Sequence, residues 1–163
     1  MVNQLFIVCP FSCMETFLQN KYGNDIFFLT FSGAVFQFED VNYVEVIRDF
    51  INRENITNTF IVNDTSCRFI KRVLETKKGF GTFSEEVMIN LLIDNYSVVM
   101  QTKSLIEQKK ALAELNIRRQ VKEILSNELF LQPIIQNKIN IKGLITTKAE
   151  NKLIELNFNL KEF

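Results

Sequence analysis

The chain has 163 residues, 47% of them hydrophobic and 16 of them Phe, enough for one domain to bury roughly 70% of its unfolded surface. Nineteen basic and nineteen acidic residues cancel, which argues against a nucleic-acid binder relying on a global positive field and favours association between copies. No apolar run approaches the ~20 residues of a membrane span, no secretion signal is visible, and three cysteines suggest no disulfide framework, so free thiols in a reducing cytoplasm are expected.

Strand and helix signals alternate along the chain. Leu5 to Val8 reads as a short buried strand and Phe11 to Asn20 as a helix. Ile26 to Phe31 is a second β-branched and aromatic run, broken by Ser32-Gly33. Val41, Val44, Ile47 and Ile51 keep helical spacing behind Asp40, a suitable N-cap. Thr59 to Val62 is a third strand, and Phe69, Ile70, Val73 and Leu74 form the apolar stripe of the next helix. Gly79-Phe80-Gly81 is a breaker cluster. From Ser84 to about Leu125 the pattern is helical in two or more pieces, and Pro133 separates it from a last β segment, Ile139 to Thr147. Leu153 to Phe158 alternates as a hairpin partner would, turning at Ala149-Glu150-Asn151. The order predicts one α/β domain over 1–163, with a mainly parallel sheet of about four to five strands flanked by helices.

The residues that could carry chemistry lie at strand ends, where α/β folds build their sites. Cys9 closes the first strand, and Cys67 follows the third by way of Asn63-Asp64-Thr65-Ser66. Two thiolates with Asp64 one helical turn before Cys67 outline a zinc site, with Cys13 a possible fourth ligand. Each residue also has a plain structural reading. Asp64 lies between a strand and a helix, where Asp caps free N–H groups. Cys9 and Cys67 abut apolar strands and suit a core as inert thiols. Gly79-Phe80-Gly81 is not followed by the Lys-Ser/Thr of a phosphate loop, and Ser32-Gly33 has no His partner anywhere in the chain.

The element order and several strings resemble the β-class carbonic anhydrases. Cys9 stands where that family's first zinc cysteine, in C-x-D-x-R, would stand. Asn24-Asp25 to Ser32-Gly33 resembles its G-D to A-G segment, and Asn63-Asp64-Thr65-Ser66-Cys67 resembles its G-H-x-x-C. Glu114-Leu115-Asn116-Ile117-Arg118-Arg119-Gln120-Val121 resembles the E-x-N-V-R-x-Q-V helix, and Asn137 to Leu156, with Gly143 at its centre, resembles the closing hairpin. A second register sets Cys13-Met14-Glu15-Thr16-Phe17 against C-M-D-S-R and fits the strand end less well.

The resemblance implies the fold, a zinc held by Cys9, Asp64 and Cys67, and a homodimer. It also marks departures. Asp64 replaces the zinc histidine, Phe11 and Cys13 replace the Asp-Arg dyad, Thr30 and Phe31 replace an Arg-Asn pair, and Arg68 replaces a glycine. The family's N-terminal helical arm, which packs on a partner subunit, is not expected here, since the first strand signal begins almost at Met1. A carboxylate in place of the imidazole makes the ligand set more anionic and raises the pKa of bound water, which opposes hydroxide formation. No histidine remains as a proton carrier. The expectation is therefore a relative that has lost CO2 hydration, binds no cofactor and keeps a binding or structural role. The alternatives are a divergent zinc hydrase using Cys9, Asp64 and Cys67, and a protein with a purely structural zinc.

Overall fold

Leu5, Phe6, Ile7 and Val8 are all buried, as a strand covered on both faces requires. They lie in β1 (Asn3–Val8) of a five-stranded sheet seen in a computed structural model that describes residues 3–76 and 81–158. With β2 (Ile26–Thr30), β3 (Ile56–Asp64), β4 (Asn140–Thr147) and β5 (Lys152–Asn157), the strand order is β2-β1-β3-β4-β5. The first four are parallel, and β5 joins antiparallel through the hairpin. This is the expected mainly parallel sheet with one added edge strand.

Strand alternation divides the core. Leu5, Ile7, Cys9 and Ile61 pack with α2 (Val41–Arg53), α3 (Arg68–Thr76), α4 (Phe83–Asp94), α6 (Leu105–Ser126) and α7 (Glu128–Gln136), and a short α5 (Tyr96–Val99) adds Val99. Phe6, Val8, Phe60, Val62 and Leu144 face the other way, onto Met14 and onto Leu18 of α1 (Glu15–Tyr22). Phe6 stacks on Phe60 at 4.6 Å between ring centres.

Three expectations change. The helix expected over Phe11–Asn20 is a 3₁₀ turn, Pro10–Ser12, followed by α1 from Glu15. Cys13 between them adopts a left-handed conformation, φ 50° and ψ 55°, which a continuous helix does not allow. The strand expected over Thr59–Val62 runs on through Asp64, because pairing with β4 continues as far as Asp64 opposite Thr146. Pro133, expected to lie beyond the helices, is inside α7. That helix has nine residues and a good N-cap, Asn127 accepting from the Leu129 N–H, so the proline removes few bonds. Of the Gly79-Phe80-Gly81 breaker, Gly79 and Phe80 lie outside the described residues. Gly81, at φ 77°, precedes Thr82, the N-cap of α4.

Two glycines set close approaches. A Cβ at Gly143 in β4 would sit 2.4 Å from Ile117 Cγ2, so the missing side chain lets α6 lie against the sheet. A Cβ at Gly33 would sit 2.6 Å from the Phe69 ring, and its φ of 66° is left-handed.

Candidate functional site

Cys9 leaves the end of β1 on the helical face of the sheet, and Cys67 sits just before the first turn of α3. Both are essentially fully buried in the same cluster. Their sulfurs are 3.5 Å apart, and the Gly33 N–H donates to Cys9 Sγ over 3.1 Å. The turn Ser32–Ala34 is thus bound to the pair. The two thiols share one hydrogen bond, and Cys9 is the weaker acid of the pair. Its thiol is pushed up by its hydrogen bond to Cys67 and by burial. Cys67 is pulled down to about 7 by that bond, against burial and with help from the Ile70 and Phe69 N–H groups at the start of α3.

Asp64 is brought to a different place. Counting back along β3, Val62 and Phe60 face α1, and Asp64 follows them by the two-residue period. Its neighbour Asn63 faces the cysteine side, where its Nδ2 donates to Gly33 O at 3.0 Å. Asp64 is wholly buried and its carboxylate is saturated. Oδ1 accepts from the Ser66 N–H at 2.8 Å and from the Ser66 hydroxyl. Oδ2 accepts from Thr146 Oγ1 at 2.6 Å and from the Lys148 N–H at 2.9 Å. The Lys148 ammonium reaches back to Ser12 O at 2.7 Å, so β1's loop, β3 and β4 are joined around one carboxylate. This is the capping reading of Asp64, extended across the sheet.

Cys13 is exposed, and its sulfur is 3.7 Å from Pro10 O. Among the described residues no three His, Cys, Asp or Glu side chains are arranged to hold a metal ion. The cysteines alone suit one, since two thiolates on tetrahedral zinc with ~2.3 Å bonds sit ~3.8 Å apart. Asp64 does not complete the set. Turning it to the other face would strand four donors, at about 1–3 kcal/mol each where they are buried. The residues as folded supply two ligands of the three expected.

Sequence reasoning left a buried amide network out of the site. Asn116 Nδ2 on α6 donates to Gly33 O and to Asn63 Oδ1, both at 2.8 Å, and Gln120 Oε1 accepts from the Phe36 N–H. The signal lies in the resemblance of Glu114–Val121 to the family helix, in which Asn116 and Gln120 stand at the motif's Asn and Gln. A cavity of about 410 Å³ opens at residues that neighbour the cysteines in sequence, its wall including Phe11, Ser32, Arg68, Phe69 and Glu85. The Phe11 and Phe69 rings lie nearly parallel, 6.4 Å apart.

No protein-family model matches the chain, and no curated protein matches it. Solved structures do. A β-carbonic anhydrase of Aspergillus fumigatus superposes with a TM-score of 0.80 at 22% identity, over 95% of this chain and 75% of its own. One from Sordaria macrospora, described as tetrameric, gives 0.78 at 16% identity over 95% and 80%. The Coccomyxa β-carbonic anhydrase, solved with acetazolamide, gives 0.77 at 16% identity over 95% and 72%. From the first strand to the closing hairpin, this chain has the β-carbonic anhydrase fold.

Proposed function

We propose that this chain has kept the β-carbonic anhydrase fold and lost CO2 hydration, and that it serves as a binding or structural protein. The observation that carries the reading is the state of Asp64. The residue that the resemblance sets in place of the zinc histidine spends both carboxylate oxygens on Ser66, Thr146 and Lys148, on the face of the sheet away from the cysteines. The dyad positions agree. Phe11 stacks on Phe69, and Cys13 turns its sulfur to a backbone carbonyl, so neither offers a group to orient a reacting oxygen. The protein acts as a homodimer in the cytoplasm. No helix among the described residues is long and apolar enough to cross a membrane, which is compatible with that placement.

The test is metal analysis of protein purified without added zinc, followed by stopped-flow CO2 hydration. A metal-free, inactive protein is expected, and hydration well above the uncatalysed rate would overturn the reading. The alternative is zinc held by Cys9, Asp64 and Cys67, as a hydrase or as a structural staple. It draws on the 3.5 Å sulfur spacing and calls for about one zinc per chain.

A further inference from the structure

We propose that Cys9 and Cys67 are a redox-modification site, closing to a reversible disulfide when a hydroperoxide reaches them. The inference rests on the reading above, in which no metal lies between the sulfurs. Two buried thiols 58 residues apart in sequence meet at 3.5 Å, with no third ligand arranged around them among the described residues. A disulfide bond of about 2.05 Å asks each sulfur to move by under ~1 Å, a shift within reach of side-chain rotation. Cys13 is not part of the pair: it is exposed and turned to Pro10 O, and the test below removes it.

Burial selects the oxidant. At 1% and 0% exposure, neither sulfur can be met in line by a protein thiol or by a bulky disulfide. Only an oxidant as small as hydrogen peroxide suits the approach that the proposal requires. The cavity at Phe11, Ser32 and Phe69 brings solvent to residues flanking both cysteines and Gly33. One cysteine sulfur attacks a peroxide oxygen, forming an S–O bond as the O–O bond breaks. The departing oxygen takes up the cysteine's proton, leaving as water or an alcohol and a sulfenic acid behind. The second sulfur then displaces the sulfenic hydroxyl, which leaves as water with the second thiol's proton. Two thiols lose two electrons in all, and one hydroperoxide gains them.

The consequence is local. Moving Cys9 Sγ toward Cys67 alters its 3.1 Å contact with the Gly33 N–H. The turn at Ser32–Ala34, which forms part of the cavity wall, is therefore coupled to the oxidation state.

The test uses the full chain carrying Cys13→Ser, with metal content measured on the same sample. Treatment with hydrogen peroxide should lower the mass by about 2 Da, remove both titratable thiols and give a Cys9–Cys67 cross-linked peptide, all reversed by dithiothreitol. Oxidised glutathione at equal strength should leave both thiols intact. Cys9→Ser in the same background should give no intramolecular bond. Sulfinic acid in place of the disulfide, or two thiols surviving peroxide in a metal-free sample, would overturn the inference. Zinc in the sample as isolated would instead count against the proposed function. The same peroxide treatment after zinc is removed by a chelator, with the same two outcomes, then decides the disulfide.

Discussion

Asp64 shows how one residue can keep its place in a motif and change its work. Its type and position were legible as a cap, and the sequence also allowed it as a ligand. What decided between them was parity, because β3 runs two residues further than its apolar stretch and carries Asp64 to the α1 face. Asp64→Asn puts an amide where only donors point, and should cost about 2 kcal/mol or more in urea unfolding. Asp64→His should leave stopped-flow hydration at the uncatalysed rate, because the imidazole starts on the wrong face and Phe11 and Cys13 supply no dyad. Substantial activity in that single variant would refute the dead-site account. Cys67 makes a second prediction. In a metal-free Cys13→Ser chain its thiolate should titrate near 7, read by ultraviolet absorbance, and Cys9→Ala should move the midpoint up by removing the leading cause of the shift. A depressed thiol adds stability above its ordinary value of 9.0 and loses it as pH falls through about 7. Stability that failed to rise between about 7 and 9.0 would contradict the depressed Cys67 thiol, whereas a loss above 9.0 is what the raised Cys9 thiol predicts.

The elements were legible where period and breaker agreed. The apolar run of β1 and the amphipathic spacing of α2 and α3 appear as expected, because each buries a continuous face. The misplaced boundaries share one cause, that tertiary contacts overrode local signals. Cys13 took a left-handed turn that splits the first helix. Pro133 was absorbed into α7, which is anchored by Asn127 and by buried Phe130 and Ile134. The site was less legible than the fold, since contacts such as Lys148 to Ser12 join residues 136 apart, with no local pattern to announce them. Gly143 offers a test of packing at this scale. Gly143→Ala places a methyl against Ile117 Cγ2, Leu156 and Phe158, and should destabilise by about 1–3 kcal/mol. Ile117→Ala opens the same space, so the double variant should lose less than the sum of the two single losses. Strict additivity in thermal unfolding would mean that α6 does not rest on this glycine.

At the scale of the molecule, the question is what covers the remaining apolar surface. Ile93, Tyr96 and Val98 around α5, and Ile154 on the edge strand β5, stay between 48% and 64% exposed. A net charge of zero does little to keep copies apart. Edge strands that carry exposed apolar groups invite pairing, although Lys142–Glu155 and Lys152–Glu150 place charges there as well. Self-association satisfies both features, since a second copy covers apolar groups and can meet each charge with its opposite. Light scattering on the intact chain should therefore give twice the 19.1 kDa of one chain or a higher multiple, with little change as salt is raised if apolar burial dominates. Dissociation by salt alone would assign the contact to the charged pairs instead. A monomer at every concentration would remove the homodimer from the proposed function and leave the fold and the cysteine pair untouched, since every contact described for them lies within one chain.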